Sequence, residues 1–338
     1  MAFPGTLQTV GTLVLLGTVA LTHAAEPADW EACSAISADN ERLACYDVLA
    51  GRPSPTPQPP PGAVVADAQS GLLSSLSRHW ELDDAAKQGA FLFRAHRANY
   101  FLPLKYSSAP NEQPFGSAFP QDDPRLKSVE TEVQLSFKVK GMQGVFGNDD
   151  LDLWFGYTVT SFWQAYNSDY SAAFRETNYE PEMMWVVRTD YSLAGFRGRF
   201  VNLGLVHQSN GRSAGLSRSW NRVYAQFGFE RDKLALLVRP WYRLPESGSD
   251  DNPDIEDYLG HGDLQAIYTH GRNTWSLLLR NNFQRDDNRG ALKLSWSFPL
   301  RSRLRGYVEY FNGYGESLID YNHRQQTIGL GVSLTGGI

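Results

Sequence analysis

The sequence predicts an all-β protein, a twelve-stranded antiparallel transmembrane β-barrel with a small N-terminal periplasmic extension. From about residue 90 onward, segments of about ten residues alternate between apolar and polar side chains. Aromatic residues make up 13% of the 338 residues, and 30 residues are glycine. No apolar run approaches the roughly 20 residues that a transmembrane helix needs. Any crossing of a membrane is therefore expected to use strands.

The charge balance disfavours a nucleic-acid partner. The chain carries 31 Lys and Arg against 37 Asp and Glu, which gives a net charge of −6. Proteins that bind nucleic acid usually show a basic excess. We therefore expect no nucleic acid among the partners of this protein.

The first 25 residues are predicted to be a secretory signal peptide. A short apolar stretch runs from Val10 to Leu21, and small residues lead from it to a cleavage site near Ala24 or Ala25. The segment contains no Lys or Arg, since the first basic residue is Arg42, and this departs from the usual pattern. A buried helix is the alternative, but export agrees with a membrane barrel.

Residues 26–51 are predicted to form a small module that carries the only two cysteines, Cys33 and Cys45. Both lie in a short polar helical stretch, and in an exported protein we expect a disulfide between them. A redox or metal role is disfavoured because there is no C-x-x-C pair and no neighbouring His. Residues 52–75 are rich in proline and predict a stiff, extended linker. The barrel domain is expected over residues 76–338.

The barrel prediction rests on the alternation of side chains. In residues 129–140 the large apolar side chains take one parity, and Glu, Gln, Ser and Lys take the other. Successive side chains of a strand point to opposite faces, so each segment has one apolar and one polar face. We predict twelve strands, at residues 90–104, 129–142, 151–164, 182–192, 197–209, 219–230, 233–244, 258–270, 273–283, 289–300, 303–312 and 326–336.

The length of these segments and their aromatic residues favour a membrane barrel over a soluble sandwich, whose strands are usually shorter. Trp and Tyr near strand ends are typical of the two interfacial girdles of a membrane protein. The residues that we assign to these girdles are Trp154, Trp163, Trp185, Trp220, Trp241, Tyr242, Tyr307 and Tyr310.

Three polar residues are predicted on the lipid-facing side of two adjacent strands. His207 and Ser209 continue the parity of the apolar residues before them, and Asn221 continues the parity of those after it. A hairpin that turns near Ala214 would place His207 opposite Asn221, because both lie seven residues from the turn. Cross-strand partners are about 5 Å apart. These three side chains are therefore expected to converge.

This combination of residue types suits nucleophilic catalysis. A serine nucleophile needs a base to take its proton, and the base needs a partner that orients it. Ser209, His207 and Asn221 supply these roles, and a neutral amide avoids the cost of a bare carboxylate beside hydrocarbon. The alternative is that the three residues lie just above the membrane, where polar side chains are common.

These residues resemble the signature of the outer-membrane phospholipase A family. The likeness is carried by HQSNGRS at residues 207–213 and SRSWNR at residues 217–222, with flanking stretches at 174–181, 250–254 and 313–322. The resemblance implies a twelve-stranded barrel in the bacterial outer membrane, in agreement with the strand count. It also implies calcium-dependent hydrolysis of phospholipid acyl esters, at sn-1 and sn-2 and in lysophospholipids, by a homodimer.

The resemblance further implies a role for individual residues. By position, Ser209 matches the nucleophile, His207 the general base and Asn221 the residue that orients the base. The backbone amide of Gly211 matches the donor to the oxyanion. The expected ligands of calcium, all oxygen donors of the kind that Ca²⁺ prefers, are Ser217, the Arg212 carbonyl, Ser171 of the partner subunit, and Asp251 at a site associated with the monomer.

Some features depart from the family or are not required by it. Ala214 stands at a loop position that is often acidic, which weakens a second calcium site. Val159 stands where the family can have a membrane-embedded glutamine, so dimerisation here is expected to depend more on packing. The module with Cys33 and Cys45 is either a periplasmic interaction module or an appendage without a specific partner.

Two other classes of protein remain open. In a porin-like channel the polar face of residues 129–140 would line water. These charges could equally form an internal salt-bridge network that closes a narrow barrel, and twelve strands favour this second interpretation. The second class is a barrel with a decayed active site. The intact trio of His207, Ser209 and Asn221 disfavours decay.

Overall fold

The computed structural model describes residues 30–51, 74–118, 125–170, 172–246 and 250–335. The predicted signal peptide and nearly all of the predicted proline-rich linker lie outside the described residues. The contacts divide the chain into two units, Met1–Asp67 and Ala68–Ile338.

The described part of the first unit is a pair of short helices. Helix α1 covers Trp30–Ser34 and α2 covers Asp39–Leu49. Cys33 and Cys45 form the disulfide that the sequence predicts, with Cα atoms 5.5 Å apart. The rings of Trp30 and Tyr46 stack beside it, with centroids 5.4 Å apart. A crosslink of this kind constrains the unfolded chain, which suits a unit too small to bury a core.

The second unit is dominated by strands. It contains three further short helices, α3 (Ser75–Trp80), α4 (Gln113–Ala118) and α5 (Ile255–Leu259). No helix in the described ranges has both the length and the apolar character to cross a membrane. The strands are β1 (Phe93–Ala95), β2 (Tyr100–Ser107), β3 (Val129–Met142), β4 (Leu151–Trp163), β5 (Phe174–Leu193), β6 (Phe196–Ser209), β7 (Ser219–Arg231), β8 (Leu234–Leu244), β9 (Gly262–His270), β10 (Asn273–Asn281), β11 (Gly290–Arg301), β12 (Leu304–Tyr314) and β13 (Arg324–Ser333).

Strands β2 to β13 form a closed antiparallel barrel of twelve strands, as predicted. Each pairs with its neighbours in sequence, and β13 closes the ring on β2. Strands β1 and β2 pair with successive parts of the same neighbour, β3. The first predicted segment is therefore one strand that is broken at residues 96–99. The side chain of Asn99 bonds the backbone N–H and C=O of Ser136 at the break. It thereby adds to the backbone hydrogen bond there, from the His96 N–H to the Ser136 carbonyl at 3.3 Å.

Two strands begin four or more residues away from the predicted start. Strand β5 begins at Phe174, eight residues before the predicted start at residue 182. Residues 174–181 carry polar side chains on both faces, so they lack the alternation that predicts a strand. The inward side chains join a charged network. Strand β9 begins at Gly262, since α5 occupies the start of the predicted segment 258–270.

The two ends of the barrel differ in their connections. At one end four hairpins turn in two residues each, at positions 194–195, 232–233, 271–272 and 302–303. The backbone of Ala194 and Gly195 is left-handed, with φ of 51° and 80°, as tight hairpins require. At the other end the loops are longer. In bacterial barrels the short turns are periplasmic and the long loops are extracellular.

Helix α3 fills the interior at the short-turn end. Trp80 is 3% exposed and packs against Trp154 and Phe200, with ring centroids 6.0 and 5.4 Å away. The Nζ atom of Lys138 lies 3.3 Å from the Trp80 ring centroid, in a cation–π contact. The backbone N–H of Leu76 donates to Glu230 Oε1 at 2.8 Å. These contacts fix the helix in place.

Ion pairs lie in the interior beyond α3. The carboxylates of Glu132, Glu309 and Glu316 lie within 4.8 Å of one another. Lys105 pairs with Glu132 and Glu316, and Lys293 pairs with Glu309. The three negative charges are thus largely neutralised by side chains. This is the internal salt-bridge network that the sequence analysis favoured over an open channel.

The prediction of aromatic girdles is wrong for half of the residues assigned to them. Tyr242 and Tyr310 are exposed on the outer face. Trp163 and Trp185 share the outward parity and are half-buried. The other four side chains are buried in the interior because their parity is opposite to that of the apolar wall, and they are Trp154, Trp220, Trp241 and Tyr307.

Candidate active site

The predicted trio lies at the loop end of β6 and β7, on the outer face of the barrel. In the register of these strands His207 pairs with Asn221, and Ser209 pairs with Ser219. The parity of His207 continues that of Leu203 and Leu205, which are 52% and 39% exposed on the outer wall. The alternating neighbours point inward. The parity that the sequence predicted for these residues is therefore the parity of the structure.

His207 and Asn221 are in direct contact. The distance between His207 Nδ1 and Asn221 Oδ1 is 2.8 Å. An amide oxygen can only accept a hydrogen bond, so Nδ1 is the donor in this pair. The other ring nitrogen, Nε2, then carries a lone pair. This is the tautomer that a general base needs.

Ser209 makes a different contact. Its Oγ accepts a hydrogen bond of 3.0 Å from the backbone N–H of Gly211. Within the described part of the chain, no hydrogen bond joins Ser209 to His207. The Cα atoms of these two residues lie roughly 7 Å apart, because they are next-nearest neighbours on one face of a strand. Catalytic hydrogen bonds are often long in a site without substrate. The pair is therefore adjacent but not yet bonded.

The loop after Ser209 carries Gly211, Arg212 and Ser217. Arg212 Nη2 donates to the carbonyls of Phe174 and Arg175 at 3.0 and 2.6 Å, which ties the loop to the start of β5. Neither the carbonyl of Arg212 nor the hydroxyl of Ser217 is used in a hydrogen bond between described residues. Both oxygens thus remain available to a ligand.

The remaining predicted calcium ligands lie on two other loops. Asp251 is exposed on the β8–β9 loop, and its carboxylate has no ion pair with any described residue. The next residue, Asn252, accepts the backbone N–H of Ser219 at 3.0 Å, which holds this loop beside the start of β7. Ser171 lies outside the described residues. The hydroxyl, carbonyl and carboxylate oxygens present here are a donor set that fits a hard cation such as Ca²⁺.

The two departures from the family pattern lie near the site. Val159 is on the outer parity of β4, between Leu135 of β3 and Tyr179 of β5. Ala214 begins a short 3₁₀ turn in the loop between β6 and β7.

Two residues near the trio were missed by the sequence analysis. Tyr179 pairs with Ser209 across β5 and β6, and its ring would lie 3.3 Å from a Cβ at Gly211. Glu246 follows β8, and burial and the charge of Asp250 raise its pKa, whereas the charge of Arg243 lowers it. Tyr179 was not identified because the strand containing it was predicted to start later.

Comparison with known proteins identifies the family of this chain. The family model described as Phospholipase A1 matches residues 76–334. A phospholipase A1 of Salmonella typhimurium is 40% identical over 244 residues, which are 72% of this chain and 82% of that protein.

Two solved structures share the fold. One is the outer membrane phospholipase dimer of Salmonella typhi with bound calcium, which has 34% identity, a TM-score of 0.68, and coverage of 75% of this chain and 95% of that chain. The other is an active-site mutant of the Escherichia coli outer membrane phospholipase A with an asparagine replaced by alanine. It has 35% identity, a TM-score of 0.67, and coverage of 74% and 94%. The chain therefore belongs to the phospholipase A1 family and is an enzyme of the bacterial outer membrane, as the sequence predicted.

Proposed function

We propose that this protein hydrolyses the acyl ester bonds of phospholipids and lysophospholipids, at both sn-1 and sn-2, with Ser209, His207 and Asn221 as its catalytic residues. The observation that carries the proposal is the 2.8 Å contact between His207 and Asn221 on the outer wall. A polar pair on this face needs an explanation beside lipid. An ester of a lipid lying against the wall is within reach of the adjacent serine.

The reaction begins when His207 Nε2 takes the proton of Ser209 Oγ, which attacks the carbonyl carbon of the ester. Asn221 holds the ring through Nδ1 while the ring is charged. The negative charge that forms on the carbonyl oxygen is stabilised by the Gly211 N–H, which already points at Ser209 Oγ. His207 then gives its proton to the leaving lipid oxygen. Water, activated by the same ring, releases the fatty acid from Ser209.

Calcium is proposed as the cofactor, held by the Arg212 carbonyl, Ser217 and Ser171 of the partner subunit, with Asp251 at a second site associated with the monomer. When bound, the cation supplies positive charge that stabilises the developing oxyanion. The loop oxygens of Arg212 and Ser217 are free of other hydrogen bonds among the described residues, which supports this assignment.

We further propose that the active form is a homodimer. Under this proposal a single subunit has only part of the calcium site, because Ser171 acts on the other subunit. Activity would then depend on assembly, which restrains hydrolysis of the host membrane. The calcium-bound dimer of the Salmonella typhi relative supports this proposal.

The experiment that tests the proposal measures fatty-acid release from phospholipid in detergent, with Ca²⁺ and with a chelator. We expect the Ser209→Ala variant to lose at least about 10⁴-fold in turnover, and the chelator to reduce wild-type turnover strongly. Undiminished hydrolysis by the variant would reject Ser209 as nucleophile. Turnover unchanged by the chelator would reject calcium.

A further inference from the structure

The loop between β6 and β7 closes around one buried side chain, that of Asn210, which is 4% exposed. Its Oδ1 accepts the backbone N–H groups of Arg212 and Arg218 at 3.3 and 3.0 Å. Its Nδ2 donates to the carbonyl of Leu216 at 2.8 Å and to Glu176 Oε2 at 3.3 Å. Its own N–H donates to the carbonyl of Arg218 at 3.0 Å. One side chain thus joins both ends of the loop and its middle.

The partners of Asn210 are themselves fixed. Glu176 is fully buried, and its Oε1 accepts the backbone N–H of Ile319 at 3.2 Å. Leu216 is buried with Phe115 and Ile319 in an apolar cluster. The loop is therefore held on its buried side by the hydrogen-bonded carboxylate of Glu176 and by the packing of Leu216.

The same arrangement recurs in the loop between β10 and β11, which carries none of the proposed catalytic residues. Asn282 Oδ1 accepts the N–H groups of Gln284 and Arg289 at 3.2 and 3.0 Å, and its Nδ2 donates to the carbonyl of Asp287 at 2.9 Å. The N–H of Asn282 donates to the carbonyl of Arg289 at 2.9 Å.

The residue that follows each asparagine is left-handed, with φ of 63° at Gly211 and 54° at Phe283. In both loops the backbone N–H of this residue points toward the side chain of the residue that precedes the asparagine. It donates to Ser209 Oγ at 3.0 Å in one loop and to Asn281 Oδ1 at 2.7 Å in the other. In each loop, the asparagine and the left-handed residue after it thus orient one backbone N–H to donate a hydrogen bond to the side chain that precedes the asparagine.

We propose that Asn210 is a positioning residue for catalysis, in that its side chain holds the Gly211 amide toward Ser209 and holds the Arg212 carbonyl and Ser217 together for the cation. This inference rests on the proposed function. In the β10–β11 loop the arrangement closes a turn and bonds the carbonyl of Asp257 in α5 at 2.6 Å, away from the proposed nucleophile. In the β6–β7 loop the side chain before the asparagine is the proposed nucleophile, so the aimed N–H is at the reacting atom.

The test compares Asn210→Ala with the matched control Asn282→Ala in the full chain, reconstituted in detergent. Three quantities are measured: hydrogen exchange of the loop amides, the Ca²⁺ concentration that half-saturates thermal stabilisation, and kcat and KM for phospholipid. Loss of a residue that supports metal ligands typically costs about 10- to 100-fold in metal affinity or activity.

We expect Asn210→Ala to speed exchange in residues 210–218, to raise the half-saturating Ca²⁺ concentration at least tenfold, and to lower kcat by a similar factor. KM should change by less than about threefold, because Asn210 does not face the lipid. Asn282→Ala should speed exchange in residues 282–289 and in α5, whose Asp257 carbonyl it bonds, but not in residues 210–218. Equal effects of the two variants on calcium and kcat would overturn the proposal.

A second pair of variants covers the case in which Asn210→Ala does not fold. Asn210→Asp keeps the acceptor for the two backbone N–H groups but sets a carboxylate against Glu176 and against the Leu216 carbonyl. Adding Glu176→Gln replaces the repulsion at Glu176 by a hydrogen bond, so the double variant should recover part of the calcium affinity and kcat that the single variant loses. A double variant no better than the single one would count against the proposal.

If the wild type shows no hydrolysis that depends on Ser209, the proposed function fails, and exchange and calcium binding alone decide the role of Asn210.

Discussion

His207 Nδ1 faces Asn221 Oδ1 at 2.8 Å across directly paired positions of β6 and β7. The backbone ladder fixes both residues, so the orientation of the imidazole is set by strand register and not by a mobile loop. The pair lies on the outer face of the barrel, on the same parity as Leu203 and Leu205. A neutral amide can hold the ring there without placing a second charge beside hydrocarbon.

Replacing Asn221 separates orientation from charge. Asn221→Ala removes the oriented partner, and we expect turnover to fall by about 10²-fold. Asn221→Asp keeps an acceptor for the ring N–H, so it should lose less turnover than the alanine variant. Phospholipid turnover in detergent checks both variants, and Asn281→Ala is the control. An alanine variant with wild-type turnover would contradict the assigned role.

Gly211 should tolerate a side chain poorly. At φ of 63° an alanine costs about 1–2 kcal/mol, and its Cβ would lie 3.3 Å from the Tyr179 ring. We expect Gly211→Ala to lower kcat by about 10²-fold, as loss of one oxyanion donor does. Gly215→Ala is the matched control in the same loop, because no atom lies within 4 Å of a Cβ there. Equal kcat values for the two variants would argue against the oxyanion role.

Much of the fold and the trio could be predicted because both depend on side-chain parity. The twelve-strand count follows from alternation, and the outward direction of His207 follows from the apolar residues before it. Parity fails as a signal where both faces are polar, as in residues 174–181 at the start of β5. The girdle assignment used position near strand ends and not parity, so it includes Trp220, which neighbours the outward Asn221 and points inward. The role of Asn210 depends on loop closure, which local sequence does not indicate.

A buried ion pair stabilises the loop end of the barrel. Asp320 accepts hydrogen bonds from Arg175 at 2.8 Å and from Ser317 at 2.6 Å. Burial raises the pKa of Asp320, but the charge of Arg175 and the hydrogen bonds outweigh it, so the pKa lies below its usual value. The stabilisation is therefore present above about pH 4 and is lost as the pH falls through the folded-state pKa.

We expect Asp320→Asn to lower the free energy of unfolding at pH 7 by about 3 kcal/mol. Denaturant unfolding in detergent at pH 7 and in acid measures this difference. The difference between wild type and variant should shrink in acid, where Asp320 is protonated. A difference that stayed constant down to the lowest pH would show that the charge of Asp320 does not contribute.

Trp80 should be important for the stability of the barrel. Its removal leaves a cavity among Trp154 and Phe200 and takes the aromatic partner from Lys138, which is fully buried. We expect Trp80→Ala to cost about 3–5 kcal/mol, measured by thermal unfolding of the barrel. Trp30→Ala is the control, because Trp30 is 60% exposed in the other unit. An unchanged unfolding temperature for Trp80→Ala would contradict the assigned role of α3.

The most direct test of the account is covalent labelling with a long-chain alkyl sulfonyl fluoride, a lipid-like reagent for activated serines. After reaction in detergent with Ca²⁺, the modified residue is mapped by peptide mass spectrometry. We predict a single modified site at Ser209 in the wild type and none in His207→Ala. Hydrolysis of phospholipid by a protein whose Ser209 stays unmodified would contradict the account, as would modification of a residue on the interior of the barrel.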